Sequence, residues 1–279
     1  MKAAPFDYVR PSSIAEAIDA LESAEGDGKV IAGGQSLVPV MAMRLGRPSI
    51  LVDINRVPGL HSIETLDENT VRVGALVRHV ALTRQTQLPL LAEAAGWIGH
   101  SAIRTRGTTG GSIAHADPSA ELPVVAVALG AVVHARGPVG PRTITAEDLF
   151  VGALETSLCD SEIVTAIDFP IPEVAGFAEF ARRHGDFGLV TVAVAQVRGH
   201  IRIAIGGVGS IPVRPLEAEA ILADSELTDT TLSRAARAAS EAITTSSDIH
   251  ASARYRIAMT EEYTYRALTR AIGTTVGAS

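Results

Sequence analysis

Cysteine is almost missing: Cys159 is the one thiol in 279 residues. A lone cysteine excludes an internal disulfide and cannot supply the four thiolates that an iron-sulfur cluster requires. Electrons that travel through such a cluster must therefore meet it on a partner chain. Cys159 itself reads as a small apolar filler near a strand. Positive charge is also in short supply, and a net charge of -7 argues against a nucleic-acid partner, whose binding rests on neutralised phosphates. No apolar run approaches the roughly 20 residues that span a bilayer. The opening Met1-Lys2-Ala3-Ala4-Pro5-Phe6-Asp7 lacks the apolar centre of a signal peptide. A cytoplasmic protein without a membrane span is the expectation. The eight histidines include no i, i+4 pair and no Cys/His cluster, so a metal held by this chain is not expected.

What is abundant is apolar surface. With 47% hydrophobic and 20% charged residues, the chain can bury a large core and is expected to divide into two domains. Ser13 followed by Glu16, with Ile14, Ile18 and Leu21 at helical spacing, predicts a short first helix. Strands are predicted at Lys29–Ile31, Ser49–Ile54, Thr70–Val77, Ala131–Ala135 and Glu162–Phe169, with a helix over Leu88–Ile98 whose Trp97 belongs to the core. Pro170-Ile171-Pro172 interrupts the pattern and marks a domain boundary. Beyond it come strands at Gly188–Val197 and Ile201–Ile205, helices at Leu216–Leu222, Thr231–Ile243 and Tyr255–Ile272, and a frayed tail after Ile272.

Two glycine-rich loops carry the chemistry. Ala32-Gly33-Gly34-Gln35-Ser36 follows a strand, so the backbone can turn sharply and offer several amides to one anion, with the Ser36 hydroxyl as a further donor. It is neither a G-x-G-x-x-G fingerprint nor a P-loop, because no Gly-Lys-Ser/Thr follows. Thr108-Thr109-Gly110-Gly111-Ser112 repeats this chemistry, and two such loops could grip the two phosphates of a dinucleotide. Neither loop contains a cation, so backbone dipoles and hydroxyls would meet the charge. Arg104 and Arg106 stand nearby, either as helpers or as solvated side chains. Asp117-Pro118 is expected to open a helix through Leu129, placing Asp117 and Glu121 on one face where a carboxylate can accept from ribose or adenine groups. Asp117 reads equally as the helix cap. His115 reads as a structural histidine.

The segments Ala32 to Leu37, Thr109-Gly110-Gly111-Ser112-Ile113-Ala114 with Asp117-Pro118 and Glu121-Leu122-Pro123, and Arg182-Arg183-His184-Gly185-Asp186-Phe187 occur in that order. Together they resemble the motif set of the FAD-binding medium subunits of molybdenum hydroxylases, a family that includes the carbon monoxide dehydrogenase medium subunit and the flavin domain of xanthine dehydrogenase. The resemblance covers essentially the whole chain, including Tyr255-Arg256 and Met259 in the last helix. It implies an α+β fold: a two-part, PCMH-like FAD-binding domain over 1–172, with subdomains of about 1–56 and 57–172, then an α+β C-terminal domain of the CO dehydrogenase flavoprotein type over 173–279.

The resemblance further implies a role as an oxidoreductase subunit. Ala32, Gly33, Gly34, Gln35, Ser36 and Leu37 would hold the FAD pyrophosphate together with Thr108, Thr109, Gly110, Gly111 and Ser112. Asp117 and Glu121 would stand at the adenosine half, Val164 at an apolar position beside the cofactor, and Phe187 at the isoalloxazine. Related flavoproteins attach FAD through a histidine where this chain has Gln35, so non-covalent FAD is implied. The implied partners are a small [2Fe-2S] subunit and a large molybdopterin subunit, paired as a dimer of heterotrimers. No catalytic residue is assigned, because flavin chemistry needs binding and electrostatics from the protein rather than its own acid or base. Glu179 departs from the pattern, which often has lysine there. The acceptor (NAD, a quinone, a cytochrome or oxygen) and the substrate of the molybdenum subunit stay open. Two rival readings are a stand-alone flavin oxidase or dehydrogenase, and a non-enzymatic nucleotide-binding or assembly subunit.

Overall fold

A computed structural model of the chain describes residues 2–223 and 225–276. The N-terminal layer is a parallel sheet of β1 (Asp7–Val9), β2 (Gly28–Ile31) and β3 (Ile50–Asp53), in the order β1-β3-β2. Helix α1 (Ile14–Glu22) covers it with Ala17, Ile18 and Leu21. Its start is doubly capped: the Ser13 hydroxyl accepts from the Glu16 amide, and the Glu16 carboxylate accepts from the Ser12 amide at 2.8 Å. Helix α2 (Leu37–Ala42) follows the first glycine loop.

The second layer is an antiparallel sheet in the order β4-β5-β10-β6-β7. Its strands are β4 (Ile63–Asp67), β5 (Thr70–Gly74), β6 (Val132–Gly137) and β7 (Gly140–Thr145), then, after the small hairpin β8 (Phe150–Gly152) and β9 (Glu155–Thr156), β10 (Ile163–Pro170). The strand predicted to reach Val77 ends at Gly74, because the Ala75 amide turns to Thr165 and the Leu76 amide to Leu60. Helices α3 (His79–Leu82), α4 (Pro89–Trp97), α5 (Ser101–Arg104), α6 (Thr109–His115), α7 (Glu121–Leu129) and α8 (Ala146–Leu149) fill the connections.

The C-terminal sheet, β11 (Val174–Phe180), β12 (Val190–Val197) and β13 (His200–Gly206), is an antiparallel meander. In β12 the alternation divides the strand between two cores: Val190, Val192 and Val194 face α9 (Leu216–Ala223), α10 (Asp229–Glu241) and α11 (Ala253–Val276), while Ala193 and Ala195 face α7. Every residue of α7 is buried, as expected for a helix that is apolar nearly all round and lies between two layers. Helix α11 extends to Val276, past the Ile272 end expected from the sequence, and residues 277–279 lie outside the described residues. Cys159 is not a buried filler: it is exposed in the turn before β10. Trp97 is half-buried against the main core, 6.4 Å from the Phe177 ring. No helix among the described residues is long and apolar enough to cross a membrane.

Candidate functional site

The two glycine loops, distant in sequence, are in contact. A Cβ on Gly33 would overlap the Arg106 carbonyl and lie 2.9 Å from the Gly107 Cα, so glycine is required there by the loop-to-loop approach itself. A strap reinforces the junction. The Asn55 amide group donates to the Ala32 carbonyl at 2.8 Å and to Asp53 at 2.7 Å, while the Arg78 guanidinium donates to Asn55 Oδ1 at 2.7 Å and to the Arg106 carbonyl. Asp53 is anchored in turn by Tyr8 and by Arg10 at 3.5 Å. Asp53, Asn55 and Arg78 were not singled out from sequence; an Asp-x-Asn after a strand is an ordinary turn signal, and only the fold turns it toward the loop.

Among the described residues, the backbone amides of Gly34, Gln35, Ser36 and Leu37 donate to no protein acceptor. The Ser36 hydroxyl is likewise uncommitted and exposed. A run of unpaired amides beside a hydroxyl is a geometry that suits an anion. The Gln35 side chain folds back onto the Gly33 carbonyl at 3.3 Å. Ala32 and Leu37 are half-buried at its two ends.

The second motif is not a loop along its length. Thr108 caps α6, accepting from Gly111 at 3.2 Å, and Thr109 through Ser112 form the helix's first turns. Thr109 and Gly110 are buried, and their amides donate to the Val77 and Ala75 carbonyls at 2.9 and 2.8 Å. A Cβ on Gly110 would lie 2.9 Å from the Ala75 Cα. These two residues therefore fix the segment against β5's end, whereas Gly111 and Ser112 remain half-exposed. Arg104 is committed to the Ile98 and Gly99 carbonyls at 3.0 and 2.8 Å, and Arg106 is exposed.

Asp117 does not cap α7. It accepts from the Ser119 amide at 2.8 Å, making a local turn, and α7 starts at Glu121 with Ala120 as its cap; the Asp117-Pro118 signal belonged to the turn instead. Glu121 is 7% exposed, and burial, with Asp117 adding to it, pushes its carboxyl up to about 7. Val164 is buried in the main core on β10, paired with Ala135. Phe187 is 71% exposed in the turn between β11 and β12. That turn is steadied by His184, whose ring meets Trp97 edge-on at 5.2 Å. His115 is half-buried at the end of α6. His79, beneath the second segment, is 5% exposed with neither ring nitrogen hydrogen-bonded among the described residues, and burial lowers its pKa to about 4.

A two-layered N-terminal half with paired glycine segments, joined to an α+β half, defines a nucleotide-cofactor protein. Residues 4–172 match the FAD binding domain in molybdopterin dehydrogenase, and residues 175–271 match the CO dehydrogenase flavoprotein C-terminal domain. The chain belongs to this family, as a medium FAD subunit of the multi-subunit molybdenum hydroxylase-type dehydrogenases, and is an oxidoreductase subunit. It is 44% identical over 282 residues to the nicotine 6-hydroxylase medium subunit of Paenarthrobacter nicotinovorans, covering 97% of this chain and 99% of that one. It is 34% identical over 278 residues to the carbon monoxide dehydrogenase medium chain of Hydrogenophaga pseudoflava, covering 95% and 96%. A solved carbon monoxide dehydrogenase from Hydrogenophaga pseudoflava superposes with a TM-score of 0.93 at 35% identity over 98% of this chain and 99% of that chain. Quinoline 2-oxidoreductase from Pseudomonas putida 86 superposes with a TM-score of 0.92 at 34% identity, with the same coverage.

Proposed function

We propose that this chain binds FAD non-covalently and carries electrons from [2Fe-2S] clusters of a small partner subunit to an external acceptor, while a large molybdopterin subunit oxidises the substrate. The observation that carries the binding mode is the run of unpaired amides from Gly34 to Leu37, held open by the contact between the two glycine segments. These amides and the Ser36 hydroxyl suit a pyrophosphate, with Thr108 to Ser112 forming the opposite wall. Within that wall, Thr109 and Gly110 shape the segment, while Gly111 and Ser112 are the accessible members. Glu121 and Asp117 stand toward the adenosine half. Val164 lies at an apolar position behind the cofactor, and the exposed Phe187 ring is available to the isoalloxazine. When bound, the flavin supplies the redox chemistry; the protein binds, orients and sets the electrostatics.

The reading places the FAD-binding domain over 1–172, in subdomains divided near residue 56, and the second domain over 173–279. It puts the assembly in the cytoplasm as a dimer of heterotrimers. Purification from the native source tests it: the chain should travel with a [2Fe-2S] subunit and a molybdenum subunit, and acid precipitation should release intact FAD. Flavin that stays on the denatured chain would refute the non-covalent assignment. Bleaching of the isolated chain's flavin by a small organic substrate would favour a stand-alone dehydrogenase. A folded chain that binds nucleotide without flavin absorbance would favour the assembly-subunit reading.

A further inference from the structure

The five-stranded sheet presents two faces with different roles. Val133 and Ala135 of β6 point into the main core, on the side where α6 and its glycine segment pack through Ile113. His134 and Arg136 therefore belong to the other face, where Ile163 of β10 is covered by Ala17, Ile18 and Leu21 of α1. Beside that contact lies a cavity of about 580 Å³, a size that suits a small organic ligand. Both layers build it: Ile14 comes from the start of α1, Pro58 and Leu60 from the link between the layers, and His134, Arg136 and Thr143 from the sheet.

One wall is apolar and the other cationic, and no acidic residue lines the cavity among the described residues. The carboxylates nearby are already committed. Asp168 accepts from Arg72 at 2.6 and 2.8 Å and from His134 Nε2 at 2.7 Å, while Glu162 accepts from Arg142, another lining residue, at 2.6 and 2.7 Å. Arg136 is left over. Its cross-strand neighbours are Pro141 on β7 and Ile163 on β10, neither of which can take its charge, and it makes no ion pair or side-chain hydrogen bond among the described residues. In a chain of net charge -7, an unmatched guanidinium in a concave site concentrates anions there.

We propose that this cavity is a ligand site, separate from the glycine segments, for a small organic carboxylate with an apolar body. The planar fork of Arg136 matches a carboxylate, and the Thr143 hydroxyl, paired in the ladder with His134, stands beside it as a further donor. Ile14, Pro58 and Leu60 receive the apolar body. A bare inorganic anion would leave that wall unused, so the site prefers an aromatic or aliphatic acid.

The test is isothermal titration calorimetry of the full-length, flavin-loaded chain with benzoate, phenylacetate and hexanoate. Benzamide serves as the neutral isostere and inorganic phosphate as the anion without a body. At least one of the acids should bind saturably, and benzamide and phosphate should bind about ten-fold more weakly or worse. Arg136→Gln should weaken the acid by about ten-fold, the loss expected when hydrogen bonds to a charged group are removed. Thr143→Phe fills the cavity from an exposed strand position and should abolish binding, and both variants should keep wild-type flavin absorbance. The proposal is overturned if none of the three acids binds up to about 10 mM, or if binding is untouched by both variants. Phosphate binding as tightly as the acids would also overturn it, as would an acid that displaces the flavin, since that acid occupies the cofactor site.

Discussion

At the scale of single residues, Gly33 and Gly110 are glycine for packing reasons: each meets backbone from another segment at a distance no Cβ tolerates. Gly33→Val is therefore expected to separate the two glycine segments and abolish FAD retention, which absorbance of the purified chain reports; full flavin content would remove the first segment from the site. Glu121→Ala should raise the FAD dissociation constant about ten-fold or more, since a hydrogen bond to a charged group is worth roughly 1.5 to 3 kcal/mol. Asp117→Ala separates a turn residue from a ligand: if it serves only the Ser119 amide, the Tm of the apo and holo forms falls alike, whereas a larger fall in the holo form shows that Asp117 contacts the cofactor. His79 gives an acid limb. Its folded pKa of about 4 lies below the ordinary 6.5, so the unfolded chain binds more protons between those values and stability falls as pH drops through them. The full effect is roughly 3 kcal/mol at 1.36 kcal/mol per unit. Urea titrations at pH 7 and pH 4.5 should show His79→Leu losing less stability on acidification than wild type; equal losses would assign the acid limb to other groups.

At the scale of elements, the Asn55–Arg78 strap joins the end of β3, the first glycine segment and the run-in to α6. One guanidinium reaches two acceptors in different segments, which an ammonium on a flexible stem does not reproduce. Arg78→Lys should therefore weaken FAD binding nearly as much as Arg78→Ala, by about ten-fold, while far-ultraviolet circular dichroism stays unchanged. Rescue by lysine would show that charge, rather than the bridge, matters. Helix α7 has a different task. With Leu122, Val124, Val125 and Leu129 all buried between layers, Leu129→Ala should cost roughly 2 to 5 kcal/mol in urea unfolding, far more than a truncation on the exposed side of α10.

At the scale of the whole molecule, α7 is the shared wall of two cores, touching β10 and α4 on one side and β12 and β13 on the other. A second bridge runs beside it: Arg202 of β13 donates to the Val127 and Ala128 carbonyls at 3.0 Å and to Glu147. The two halves are thus expected to unfold together. A single calorimetric transition for the holo chain checks this; two resolved transitions would show independent halves.

The sequence by itself carried the ordered motifs whose resemblance implied the family, and it determined most long elements, because hydrophobic period and caps are local signals. α1, β12 and α11 were legible for that reason, as were the loop residues Gly33 to Ser36. The missed strands β1 and β4 are short and largely exposed, β7 was hidden by its glycine and proline, and β11 by its Gly-Phe-Ala run after the proline break. Tertiary structure alone decided that Asp117 serves a turn, that Thr109 and Gly110 face inward, and that Asn55 and Arg78 pin the cradle. Each of these depends on which distant backbone lies opposite, and a local pattern carries no record of its partner across a layer.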